Sequence, residues 1–362
     1  MISDSSFFIK GIFVLTNLFD FMEINFPYRR SFIIIFSFFL IACDSNPWEV
    51  DLKGQTAELH WQRFELDLFT LGDSGFTQEE LEQLQADYPR MLPLYTQAIM
   101  RFGALEDPAS LQTLEKYTSD QNILELFEAV KSAYPNGSLN SELELIEKGL
   151  LRFQHYFPER SIPQLKSMIS AFTYSTVVDD SLLVISLDNY LGKDFELYPQ
   201  AGIPAYKFKY FSREYIVSDA LKAWLLTEFQ SKEAQNLLEQ MVYQGKIIYL
   251  LYAFLPEVEE HLLLNYEAEE LNWCRDNAAE VWAHFLEMEL LFTTENYKIR
   301  KYLGDSPFIP GFPEGSPGRV GQWLGYEIVK AYMDRNKGRT LPQLMQMQDA
   351  NQILQQSKYK PQ

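Results

Sequence analysis

Arg29-Arg30 is followed by Ser31–Ala42, twelve residues without a charge, and then by Cys43. Two cations, a short apolar run and a small residue before a cysteine form the pattern of an export signal, so the rest of the chain must fold outside the cytoplasm. The run is too short to serve as a membrane span, which needs about 20 apolar residues. Leu40-Ile41-Ala42-Cys43 has the form of a lipobox, in which the thiol is acylated with diacylglycerol and the chain is cut just before it. Cys43 then becomes the N-terminus and carries two or three acyl chains. Each buried methylene contributes about 0.8 kcal/mol and stable anchoring needs more than one chain, so this modification holds a protein on a membrane without a transmembrane helix. An uncleaved apolar anchor is the other reading, and the polar Asp44-Ser45-Asn46-Pro47 directly after the cysteine favours the lipid. Met1–Phe21 carry a second apolar patch interrupted by Lys10 and Asp20. A signal starting at Met22 has ordinary length. The expected organisation is therefore a signal region over 1–42 with translation from Met22, a lipid tether over 43–56, and one globular domain over 57–362. The expected location is the cell envelope, on the inner or the outer membrane.

Net charge is −19, and the signal region removes three acids and three bases, so the mature part keeps all of it. An acidic surface argues against nucleic acid and against an electrostatic grip on anionic lipid headgroups. Attachment has to come from the acyl chains. The chain has two cysteines, Cys43 and Cys274. With Cys43 acylated, no intramolecular disulfide can form, and a large apolar core must stabilise the fold.

Along the chain, Ala57–Phe69 alternates apolar and polar residues with one slip, which predicts a strand with a bulge at Gln62-Arg63. Thr77-Gln78-Glu79-Glu80 is a capping box opening a helix with Leu81, Leu84 and Tyr88 on one face. Helices are expected from Asp107-Pro108, from Ser119 and from Ser141. Met168–Val178 and Leu182–Leu187 flank Asp179-Asp180 and predict a hairpin that ends in Asp188–Gly192. Three long helices follow, over 213–229, 232–254 and 267–292, the last broken near Asn277. Pro307–Pro317 reads as a loop, and a helix over 316–333 carries Gly318, Gly321 and Gly325. Gly321 and Gly325 are four apart on one face, where another backbone could come close. The fold class is α+β, predominantly helical with a small sheet.

Strong catalytic signatures are missing from the sequence. The four histidines, His60, His155, His261 and His284, do not form His-Glu-x-x-His, and there is no Gly-x-Ser-x-Gly and no phosphate-binding glycine loop. Glu280, His284 and Glu287 share one helix face at metal-ligand spacing, which equally describes a solvated helix face. No cofactor is expected, and no small-molecule substrate is identified.

Several stretches together resemble the gliding-motility lipoprotein GldB family of Bacteroidetes. They are Arg63-Phe-Glu-x-Asp-Leu-Phe69, Asp188-x-Tyr-Leu-Gly192, Tyr243-Gln-Gly-Lys246, Trp273-Cys274 with Asn277 and Trp282, Ser316–Gly321 with Trp323–Val329, and Ser357–Pro361. The resemblance implies a membrane-anchored, non-enzymatic accessory of gliding and type IX secretion, with other proteins of that machinery as partners. It singles out Gly245, Lys246, Trp273, Asn277, Trp282, Gly318, Arg319, Gly321 and Gly325 as an interaction or structural motif, besides Cys43 for lipid. A second likeness is to zincin-type metallopeptidases, in a degenerate form. The helix over 213–229 would stand where such enzymes carry two histidines but has none, and Gln244 would replace a glutamate ligand. The alternative function is thus a peptidase-like exported lipoprotein with an unconventional metal site.

Overall fold

The computed structural model describes residues 46–55, 59–72, 75–230, 234–313 and 315–362. The expected signal region, Cys43, the expected strand start at Ala57 and the expected helix start at Lys232 lie outside them. Pro47–Gln362 pack as one unit.

The expected strand over 57–69 is mostly helix. Only Gln62–Arg63 pair, as β1. Phe64–Leu71 then coil into α1 and bury Phe64, Glu65, Leu68 and Phe69. The pairs 64/68 and 65/69 are each four apart, so the apparent period of two was part of a helical face. Thr77 Oγ1 accepts from Glu80 N at 3.3 Å and Glu80 accepts from Thr77 N at 2.8 Å, and this capping box opens α2 (Gln78–Asp87) as expected. Helix α3 (Met91–Pro93) runs into a π-helical turn over Leu94–Ile99. Helix α4 (Pro108–Ser119) starts on Asp107. Helix α5 (Gln121–Ala133) is capped by Asp120 rather than Ser119, because the carboxylate reaches two free amides, Asn122 N at 2.9 Å and Ile123 N at 3.3 Å. Helix α6 spans Asn140–Tyr156.

Strands β2 (Gln164–Met168), β3 (Thr176–Asp179) and β4 (Leu182–Ser186) complete a sheet of order β1-β2-β4-β3. β2 runs parallel to both neighbours, and β3 is an antiparallel edge joined to β4 by the expected hairpin. The first arm of that hairpin is shorter than the expected Met168–Val178, since Met168 ends β2 and residues 169–175 form a loop. Every residue of β4 is buried, which explains its unbroken apolar run: the strand is covered on both faces.

After α7 (Leu197–Gln200) and 3-10 turns over Ala205–Tyr210 and Arg213–Tyr215, the second half is helical. It comprises α8 (Ile216–Glu228), α9 (Leu237–Phe254), α10 (Glu260–Leu263), α11 (Ala268–Asp276), α12 (Ala278–Glu287), α13 (Asn296–Leu303), α14 (Val320–Arg335), α15 (Leu341–Gln346) and α16 (Ala350–Ser357). The break between α11 and α12 falls at Asn277, whose Nδ2 donates to Trp273 O at 2.8 Å and so ends one helix where the next begins. Helix α9 is apolar nearly all round because α6, α8, α14 and α16 all pack on it. Trp48 docks on this helix layer. Its Nε1 donates to Tyr249 Oη at 3.0 Å, and its ring lies edge-on to Tyr156.

The helical class with a small sheet is therefore observed, but a metallopeptidase-like architecture finds no support. The glycine next to Gln244 is closed off by backbone: a Cβ on Gly245 would lie 2.2 Å from Gly325 O. Among the described residues, no group of three His, Cys, Asp or Glu side chains converges to hold a metal.

Candidate functional site

The sequence places Gly245 in α9 and Gly325 in α14, and the fold brings the two together. A Cβ on Gly325 would lie 1.9 Å from Met241 O, so the helices touch backbone to backbone at this crossing. Gly321 does not share that neighbour. A Cβ there would meet Tyr302 O at 3.0 Å and Leu303 Cδ2 at 2.9 Å, both on α13. The two glycines on one face of α14 thus admit two different helices, because four residues raise the chain by about 6 Å.

Beside this crossing lies a polar cluster around Arg319, which initiates α14 in a left-handed conformation at φ 56°. Its guanidinium is stacked over the rings of Tyr210 at 4.6 Å and Tyr266 at 5.7 Å. It donates to Asn265 O and lies 3.5 Å from Asp305 Oδ1. Tyr266 Oη donates to Gly318 O at 2.9 Å, and Gly318 itself has no room for a side chain, since a Cβ would sit 2.6 Å from Ser306 O. These contacts fix the strained turn from several sides.

Helix α8 supplies the facing groups. Tyr190 Oη donates to Asp219 Oδ2 at 2.9 Å, joining the Asp188–Gly192 segment to α8. One turn on, Lys222 Nζ donates to Gln322 Oε1 at 3.3 Å, and Gln322 Nε2 donates to Leu303 O at 2.7 Å. Burial raises the Asp219 carboxyl above the usual range, against the Tyr190 hydrogen bond and the nearby cations. Burial, with Arg319 nearby, pushes the Lys222 ammonium down to about 8. The acid and the amine lie one turn apart and half-buried on α8, and burial moves each toward its neutral form.

The other singled-out residues go to separate places. Lys246 Nζ donates to Met347 O. Trp273 packs on Phe312 at 6.2 Å, and Trp282 meets Tyr359 edge-on at 5.5 Å. The Trp282 contact places the Ser357–Pro361 tail against α12. His284 meets Tyr302 Oη at 2.9 Å and the Phe312 ring at 4.6 Å, and it does not converge with Glu280 and Glu287 into a metal-holding group. The spacing of that trio reflects a solvated face from which His284 reaches these two rings. Arg63 Nη1 donates to Tyr134 O at 2.8 Å, and Ser167 Oγ donates to Glu65 Oε2 at 2.6 Å, so the first motif fastens α1 to β2 and the end of α5. Cys274 is fully buried, and burial pushes its thiol far above the range in which it reacts.

Asp219, Lys222 and Asp305 were missed in the sequence. A polar pair three apart on an otherwise apolar helix was the available signal, but it looks the same as a solvated stripe. Residues 45–361 match the family model of the gliding motility protein GldB. No curated protein and no solved structure matches the chain.

Proposed function

This chain belongs to the family of the gliding motility protein GldB, and from that premise we propose that it is a lipid-anchored, non-catalytic accessory of the gliding and type IX secretion machinery. The observation that carries the reading is what the family-like segments do in the fold. Asp188–Gly192, Trp273, Asn277, Trp282, Gly318–Gly325 and Ser357–Pro361 all serve to hold segments against one another, and Arg319 is committed to Asn265, Asp305 and two tyrosine rings. Such residues support a rigid body that presents surfaces to partners. Cys43 carries the lipid in this reading. Trp48 is already packed on the helix layer, and the chain from Cys43 to Trp48 spans at most about 18 Å when fully extended. The domain would then work close to the membrane that holds its acyl chains.

The test is a clean deletion in the native host, complemented with the wild type or with Cys43→Ser. Loss of colony spreading and of type IX cargo secretion, restored by the wild type and not by Cys43→Ser, is the expected result. Normal spreading and secretion in the deletion strain would reject it.

A further inference from the structure

A groove of 420 Å³ lies between the C-terminal end of α8, the first turns of α9, α15 and the segment after α6, away from the Arg319 cluster. Its size falls in the range of small-molecule sites, which run from about 300 to 1,000 Å³. Phe157, Phe229, Val242, Tyr243 and Met345 supply apolar wall. Lys246 also lines it, although that residue is only 7% exposed.

The charges around the groove are not balanced evenly. Glu228 is held by Arg160 at 2.7 Å, and that guanidinium is stacked 4.4 Å over Phe229. Glu239 accepts from Gln235 N at 2.7 Å and Asn236 Nδ2 at 2.8 Å as part of the α9 capping box. Glu159 lies 3.8 Å from Arg160 and is largely exposed. Lys246 differs from all of these. Its ammonium has three donors, one goes to Met347 O, and no carboxylate among the described residues lies within 4 Å of it. A buried ammonium without a counter-charge is costly, and its pKa is pushed down to about 8 by burial alone.

We propose that this groove binds an apolar monocarboxylate, its carboxylate on Lys246 and its apolar body against Phe229, Val242 and Met345. Among the described residues, Lys246 is the lining cation without a carboxylate partner and Glu159, Glu228 and Glu239 lie around the same groove, so a single anionic charge suits it better than a phosphate dianion, which those acids repel more strongly. The chemistry is shared by the C-terminal residue of a peptide and by a free organic acid. This inference is independent of the lipid at Cys43.

The test uses the purified full-length lipoprotein in detergent and ligand-observed fluorine NMR. The probe is acetyl-Ala-Ala-(4-fluoro)Phe with a free carboxylate, compared with its C-terminal amide and with 3-(4-fluorophenyl)propanoate. Binding of the acid and loss of about tenfold or more in the amide is expected. Lys246→Met, which replaces the buried charge with an apolar chain of similar length, and Met345→Trp, which fills the groove, should each weaken the acid by a similar factor. Tighter binding of the tripeptide identifies a chain end, and equal binding of the propanoate identifies a free acid; both support the site. Equal binding of acid and amide overturns the proposal, as does binding unchanged in both variants or no binding by either acid at about 10 mM.

Discussion

Gly325→Ala is expected to lower stability by about 3 kcal/mol or more, although alanine is the better helix former by about 1 kcal/mol. The clash decides the sign. The new Cβ would lie 1.9 Å from Met241 O and 2.5 Å from Met241 C. Both are backbone atoms of α9, so no side chain can rotate to make room. Gly245→Ala meets the same crossing from the other side, 2.2 Å from Gly325 O and 2.7 Å from Tyr326 N. Either substitution must push α9 and α14 apart and open the core that holds Leu238, Met241 and Trp323. Gly338→Ala provides the control, since nothing lies within 4 Å of its added Cβ. Urea denaturation of the three variants tests this, with Gly338→Ala near the wild-type midpoint and the other two far below it. A wild-type midpoint for Gly325→Ala would mean that the helices are not in backbone contact.

The crossing was half legible in the sequence. Two glycines four apart on a helix announce close approach, but not the identity of the neighbour. In this fold Gly325 meets α9 and Gly321 meets α13. Local rules did well where the cause is local: the Thr77 capping box, the Asp179-Asp180 hairpin and the break at Asn277 all depend on a few adjacent residues. They failed at Phe64–Leu71, where apolar residues at 64, 66 and 68 fit both periods and packing against β2 chose the helix. They failed also for the polar cluster. Asp219 and Lys222 on α8 are far in sequence from Arg319 and Asp305, and only the tertiary fold brings them together and leaves Asp219 and Lys222 half-buried with shifted pKa values.

Asp188→Ala should cost about 3 kcal/mol or more, because three donors, two of them fully buried, lose their acceptor together. Ser186 Oγ donates to this carboxylate at 2.6 Å, Phe172 N at 2.7 Å and Ser170 N at 3.3 Å. Those bonds fold the Ser170–Ser175 loop back on β4 and hold Ala171 and Phe172 in left-handed conformations, at φ 50° and 64°. Asn is the milder change, keeping one acceptor oxygen but turning an NH₂ toward donors, so the expected order of stability is wild type, Asn, Ala. The same residue gives a pH signature. Burial pushes its carboxyl up to about 6 from the ordinary 3.8, despite the hydrogen bonds that favour the charged form. Between those two values the folded protein keeps a proton that the unfolded chain has released. The contribution is therefore complete below about pH 4 and is lost as pH rises through about 6. Asp219 and Glu327 are raised in the same direction and remain in the variant, so the informative quantity is the difference between wild type and Asp188→Asn. Guanidinium denaturation from pH 4 to pH 7 should show the wild-type advantage shrinking as pH rises. A constant difference across that window would mean that Asp188 stays ionised in the folded protein and that its three donors outweigh its burial.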